Sequence, residues 1–169
     1  MIDILDKNTD LELIRTNLRR YTFESPKIKQ WVEDNSNGKC LNLFAGKTKL
    51  NLDEVRNDLD DDALFDYQMD AVDFVCQWQG DKFDTIILDP PYAYRKAMEM
   101  YKGNYTSRFK QLADAVPSIL NDGGKVVSFG YHSTFLGNKR NAKLDKLCVF
   151  AHGGAQHCTI GIVEKYKGE

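Results

Sequence analysis

The chain has no CxxC pair among its four cysteines, no long apolar run, no low-complexity tract and no internal repeat. Each absence removes a class. Without paired cysteine spacing there is no case for a zinc ribbon or a dithiol redox centre. Three of the four thiols (Cys40, Cys76, Cys148, Cys158) sit in apolar, strand-like runs. They read as buried and reduced, as in a reducing compartment. No stretch reaches the ~18–20 apolar residues that a membrane-spanning helix needs. The N-terminus MIDILDKNTD is acidic, where a secretory signal would be basic and then apolar. The expectation is a cytoplasmic protein with no membrane partner.

A charge excess of one sign is also missing: the formal net charge is −2 and the pI about 5.9. That overall balance hides a polarised chain. Between residues 53 and 73 stand nine acids against the single Arg56. Between 95 and 110 stand Arg95, Lys96, Lys102, Arg108 and Lys110 against Glu99, and Lys139, Arg140, Lys143 and Lys146 follow with Asp145. Two basic segments leave room for a nucleic-acid partner that the net charge alone would discourage.

What is present is ordinary for a soluble globular chain: 42% hydrophobic and 28% charged residues over 169 positions. One domain spanning 1–169 is expected. Residues 3–20 carry a partial apolar stripe (Ile4, Leu5, Leu11, Ile14, Leu18) and predict a helix. Ser25-Pro26 opens a second, shorter one through Ile28, Trp31 and Val32. After the turn at Asn35-Ser36-Asn37-Gly38, residues 39–44 predict a buried strand, and 54–59 and 67–75 can each hold another. Thr85-Ile86-Ile87-Leu88 has the pattern of a central strand covered on both faces. Residues 107–120 predict a helix stopped by Asn121-Asp122-Gly123-Gly124, and 125–130 a fifth strand. Two more candidates, 144–151 and 159–163, suggest an antiparallel hairpin at a sheet edge. Alternating strands and helices with a terminal hairpin give a mostly parallel α/β sheet.

The stretch that carries chemistry is Phe83-Asp84-Thr85-Ile86-Ile87-Leu88-Asp89-Pro90-Pro91-Tyr92. An apolar strand delivers an acid, two prolines and an aromatic to its carboxyl end, where open α/β sheets bind ligands. The prolines fix φ and remove two amide donors, giving a stiff turn whose carbonyls stay free to accept. Such a turn suits an aryl amine, a poor nucleophile whose lone pair is delocalised into its ring. Asp89 and the carbonyl of Pro90 can each accept one N–H, and Tyr92 can stack on the base.

Asp89-Pro90-Pro91-Tyr92 after a buried strand resembles the catalytic motif of the class I amino-methyltransferases that act on adenine-N6 or cytosine-N4. Leu41-Asn42-Leu43-Phe44-Ala45-Gly46 is similar to the first-strand cofactor loop of that family, with Asn42 where an acid is usual and Lys47-Thr48 in place of the second glycine. The helix that normally follows is cut to almost nothing. The resemblance covers roughly residues 39–130; with the element pattern it gives an expected Rossmann-like core over 39–169 behind an N-terminal helical segment at 1–38. It also implies S-adenosyl-L-methionine as cofactor, held by Asn42, Phe44, Ala45, Gly46, Asp58 (on the ribose hydroxyls, with Asp60 as fallback), Asp70 (near the adenine amino group), Ala71 and Asp89. Asp89, Pro90, Pro91 and Tyr92 would be catalytic.

Downstream, Ala93-Tyr94-Arg95-Lys96 begins a run of aromatics interleaved with cations, which suits base stacking and phosphate contact. Tyr92, Tyr94, Arg95, Lys96 and His132 are the expected substrate contacts. Family members acting on DNA usually carry a separate target-recognition region, for which this length leaves no space. The expected acceptor is therefore RNA, ribosomal RNA in particular, with DNA next, and a homo-oligomer or an activating protein partner is allowed.

Competing constellations are weaker. Gly46-Lys47-Thr48 lacks the P-loop's first glycine, because Leu41 stands there. Cys148, His152, His157 and Cys158 invite a zinc site, but adjacent strand residues 157 and 158 would face opposite ways, so no metal is expected. An amide acceptor is usually met by Asn rather than Asp at position 89. A catalytically silent partner that binds RNA or activates another methyltransferase is the alternative from a different class.

Overall fold

The computed structural model describes residues 8–90, 104–130 and 134–168, with backbone alone for 104–108. Seven strands form one sheet: β1 (Asp10–Arg15), β2 (Cys40–Asn42), β3 (Glu54–Arg56), β4 (Phe83–Leu88), β5 (Leu120–Gly130), β6 (Ala142–Ala151) and β7 (Thr159–Tyr166). Their spatial order is β1-β6-β7-β5-β4-β2-β3. β7 is antiparallel to both its neighbours, and every other adjacent pair is parallel. All carboxyl ends except that of β7 therefore point to one side of the molecule, which is where the cleft lies. The mostly parallel α/β sheet with its antiparallel β6–β7 hairpin is the fold class expected from the sequence. Among the described residues no helix is long and apolar enough to cross a membrane.

Both faces are covered, each by its own apolar cluster. Helix α1 (Pro26–Asp34) starts as its sequence predicts, with Ser25 as N-cap and Pro26 in the first turn. It lays Ile28, Trp31 and Val32 against Ile87, Val127, Phe129, Phe150 and Val163. Trp31 meets Phe129 and Phe150 edge-on, with centroids 5.8 and 5.5 Å apart. On the other face, α2 (Ala71–Gln77) and α3 (Asn104–Ala115) pack Phe74, Val75, Leu112 and Ala113 against Leu41, Phe83, Ile86, Leu88, Leu120 and Val126.

Four elements depart from the sequence expectation. Part of the predicted N-terminal helix is strand β1, which pairs with β6 in parallel from Asp10↔Lys146 to Arg15↔Ala151. Its alternation is inverted. Leu11 and Leu13 are 58% and 76% exposed, while Glu12 turns inward to accept from Trp31 Nε1 (2.7 Å) and Lys146 Nζ (2.8 Å). Because β1 joins the sheet, the β6–β7 hairpin is not at the edge.

The strand expected over 67–75 is instead the start of α2. Asp70 caps it, its Oδ1 accepting from Val72 N at 3.0 Å and Asp73 N at 3.4 Å. At 121–124 the turn signal is accommodated inside β5: the register jumps from Phe83↔Leu120 to Thr85↔Lys125, and Gly123 takes φ +76°. Of the four cysteines, Cys40 and Cys148 are buried but Cys76 and Cys158 are exposed. Burial pushes the Cys40 thiol up to about 11 and that of Cys148 up to about 12, so both are inert at neutral pH.

Candidate active site

A cleft of about 860 Å³ opens across the carboxyl ends of the parallel strands. This volume lies in the range of roughly 300–1,000 Å³ typical of ligand pockets. Its floor is laid by Asp89 and Pro90, which leave β4, and by Phe129 and Gly130, which end β5. Pro90 is buried and Asp89 half-buried. The buried run 85–88 thus does what its composition predicts: a strand end without solvent contact fixes the position of the acid that follows it.

One wall is the loop after β2. No helix separates β2 from β3; residues 43–53 cross as irregular backbone. Backbone without regular structure must find other partners for its carbonyls, and here one side chain supplies donors to three of them, at residues 45, 46 and 48. Arg56, 4% exposed, donates from Nη2 to Ala45 O (2.8 Å) and Gly46 O (3.1 Å), from Nη1 to Thr48 O (3.1 Å) and from Nε to Leu64 O (2.7 Å). Its remaining contact is an ion pair with Glu54, whose side chain is 6% exposed. The planar guanidinium, with donors in a fixed fork, therefore gathers the whole loop.

Glu54 also explains Asn42, which stands where an acid is usual. Asn42 is fully buried behind the loop, and its Nδ2 donates to Glu54 Oε2 at 3.2 Å. The neighbouring strand already brings the carboxylate, and a second acid here would face it.

At the tip of the loop, Gly46 takes φ +57°, and a Cβ built on it would meet nothing within 4 Å. Its amide donates to Asp58 Oδ2 at 2.8 Å, while Asp58 Oδ1 accepts from Asp60 N at 2.9 Å. Asp58 thus ties the β2 loop to the end of β3. A carboxylate offers about four lone-pair directions, so these two bonds leave capacity for a ligand.

Of the residues that the sequence singled out, the structure brings Phe44, Ala45, Gly46, Asp58, Asp60, Asp70, Ala71, Asp89 and Pro90 to the cleft lining. Asn42 is not among the lining residues. Pro91, Tyr92, Tyr94, Arg95, Lys96 and His132 lie outside the described residues.

Among the residues suggested for zinc, Cys148 is buried in the α1-side core, and His152 is bonded to Thr16 O (3.1 Å) and Thr159 Oγ1 (2.8 Å). No group of three His, Cys, Asp or Glu able to hold a metal is found among the described residues.

Neither a family model nor a curated protein matches the chain. Solved structures do. TrmN from Thermus thermophilus superposes with a TM-score of 0.62 at 15% identity, over 87% of this chain but 50% of its own, so the chain spans about half that protein's length. The N-methyltransferase NodS from Bradyrhizobium japonicum WM9 gives 0.60 at 12% identity over 89% of this chain and 99% of its own. A methyltransferase from Pyrococcus furiosus gives 0.51 at 16% over 85% and 82%. The fold is the Rossmann-like methyltransferase fold. At these identities the likeness concerns architecture, and the chemistry rests on the residues of the cleft.

A further part of the lining has no counterpart among the site residues expected from the sequence. Leu18, Arg19, Arg20, Tyr21 and Thr22, between β1 and α1, line the cleft together with Gln156, His157, Cys158 and Thr159 at the start of β7. The available signal was the paired Arg19-Arg20 followed by an aromatic, hidden inside a stretch read as helix.

Proposed function

We propose that this chain transfers a methyl group from S-adenosylmethionine to an exocyclic amino nitrogen of a nucleic-acid base, cytosine-N4 or adenine-N6, with RNA preferred to DNA. The observation that carries the reading is the delivery of Asp89-Pro90 by the buried run 85–88 to the floor of a cleft whose wall is a glycine-tipped loop.

The residues fit the cofactor. Gly46 presents a side-chain-free surface at a positive φ, which lets a ligand approach the backbone closely. Asp58, Asp60 and Asp70 give that wall acceptors suited to a cationic ligand rich in hydroxyl and amino donors. When bound, S-adenosylmethionine supplies an electrophilic methyl group on a sulfonium.

The chain's own groups do the rest. Asp89 and the carbonyl of Pro90 accept the two amino hydrogens, which turns the nitrogen lone pair out of conjugation and fixes its direction. As the nitrogen forms its new bond it becomes cationic, and the nearby carboxylate favours that charge. The excess proton then leaves readily to Asp89 or to water. Orientation supplies most of the remaining acceleration.

Incubating the protein with isotopically labelled cofactor and total RNA or genomic DNA, followed by mass spectrometry of the nucleosides, identifies base and polymer. Asp89→Ala should cut turnover by at least about 100-fold while calorimetric affinity for the cofactor changes little. Wild-type turnover in that variant would overturn the roles assigned here. The helix-free loop at 43–53 favours a second reading, a catalytically silent RNA-binding or activating partner. Undetectable cofactor affinity in the native chain would select it.

A further inference from the structure

We propose that residues 18–22, with Lys47 opposite, form the rim that grips the backbone of a single-stranded RNA acceptor, Arg19 and Arg20 meeting phosphates and Tyr21 offering a stacking face. This inference rests on the reading above and adds the place where the acceptor lies.

The first observation is electrostatic. The cleft lining is divided by charge. Asp58, Asp60, Asp70 and Asp89 come from the segments after β3 and β4, whereas Arg19 and Arg20 come from the strap that holds Tyr21, and Lys47 of the β2 loop reaches that same ring. The acidic side suits a cationic cofactor and repels a polyanion, so the acceptor's backbone is directed to the other side. Both arginines are exposed, and Lys47 is engaged by Asp62 across 3.7 Å between exposed side chains, a contact too weakly held to resist a phosphate.

The second observation is the aromatic. The Arg20 guanidinium carbon lies 5.5 Å, and Lys47 Nζ 5.8 Å, from the Tyr21 ring centroid. A ring flanked by cations combines base stacking with charge, the pairing that sequence-tolerant single-strand sites use.

The third is fixity. The strap cannot drift, because it is tied at both ends. Thr16 N donates to Ala151 O at 3.0 Å, and Thr16 Oγ1 meets Ser25 Oγ at 2.8 Å. Phe23 is buried edge-on against Phe129 at 5.4 Å, and Phe129 lines the cleft. The backbone that carries Arg19 and Arg20 is thereby joined to the end of β5, which shares the cleft lining with Asp89.

The test uses the full chain, a fluorescent single-stranded RNA oligonucleotide read by anisotropy, and calorimetry with S-adenosylmethionine. R19A/R20A should bind the RNA about tenfold or more weakly near 0.1 M salt. Its log-affinity against log-salt slope should flatten by about 0.7 for each lost phosphate contact. Cofactor affinity should stay within about twofold. K82A/K165A removes two exposed cations from the opposite end of the sheet and should bind RNA like the native chain. Native-like RNA binding by R19A/R20A overturns the proposal, as does an equal loss in K82A/K165A. A parallel loss of cofactor affinity in R19A/R20A would assign the strap to the cofactor and also overturns it. If the native chain binds the cofactor but no nucleic acid, the acceptor class itself falls. RNA binding that survives in the double variant sinks the strap alone.

Discussion

On one side of β4, strands β5, β6 and β7 run 11, 10 and 8 residues; on the other, β2 and β3 run three each. The long strands are placed by ladders and by two apolar clusters. The short ones are joined by residues 43–53, which have no regular structure and are held largely by one buried guanidinium and one carboxylate. Packing positions the floor of the cleft, and hydrogen bonding positions the wall. A hydrophobic core tolerates loss of a methyl group as a graded cost, whereas a polar network with a partner removed leaves several buried groups without satisfaction at once.

The comparison is broken most severely by Arg56→Ala. It strands the carbonyls of Ala45, Thr48 and Leu64 and leaves the buried Glu54 carboxylate without its cation. The expected loss is about 3–5 kcal/mol in chemical denaturation, and the folded fraction should bind S-adenosylmethionine far more weakly, because the Gly46 loop is no longer held. Leu120→Ala sharpens the contrast from the other half. Leu120 is fully buried at the amino end of β5, so stability should fall by about 2–5 kcal/mol with cofactor affinity unchanged in calorimetry. If Leu120→Ala weakens cofactor binding as much as Arg56→Ala does, the division of labour is wrong.

Asn42→Asp is a finer probe. It swaps a donor to Glu54 for a second carboxylate, and a cost of about 1–3 kcal/mol is expected. Adding Glu54→Gln to Asn42→Asp should return part of that loss in a double-mutant cycle, less whatever Arg56 forfeits.

The smallest effect is a pH dependence. Asp84 sits at the amino end of the sheet, where Gly38 at φ +64° lets the chain pass over its carboxylate. The Asn121 amide and the Lys39 backbone N–H, each 2.9 Å away, hold its carboxyl below the ordinary value of 3.8. A lowered folded-state value stabilises above the unfolded one and is lost as pH falls through the folded one. Thermal melts from pH 5 down to pH 2 should therefore show part of the acid destabilisation missing in Asp84→Asn.

The sequence was most legible where burial was complete. Thr85 to Leu88 has no solvent face, and the central strand, its Asp89-Pro90 exit and the Ser25-Pro26 helix start all lie where the pattern puts them. It was least legible where polar groups act inward. In β1 the leucines face out and Glu12 faces Trp31, so the alternation reads as a broken helical stripe. Asp70 was read only as a ligand acid, although Asp70-Ala71-Val72-Asp73 ahead of Phe74 and Val75 also marks a capped helix. Arg56 passed as one cation in an acidic run, since no local pattern announces that a side chain will collect carbonyls from residues 45, 46, 48 and 64. The basic strap required the tertiary fold, because nothing near Tyr21 in the chain shows that Lys47 will come over its ring.

The pairing of β1 with β6 joins positions as far apart as Asp10 and Lys146. The ribbon that carries Arg19 and Arg20 therefore depends on a partner strand far from it in the chain, beside the nearer contacts of Thr16 with Ser25 and of Phe23 with Phe129. A nascent chain that has emerged as far as β5 can already shape the floor under Asp89, yet it stays open on the side where the acceptor would rest. Closing a loop of this span comes late in folding and at high entropic cost. The β1 segment should therefore dock after the parallel strands β2, β4 and β5 have paired.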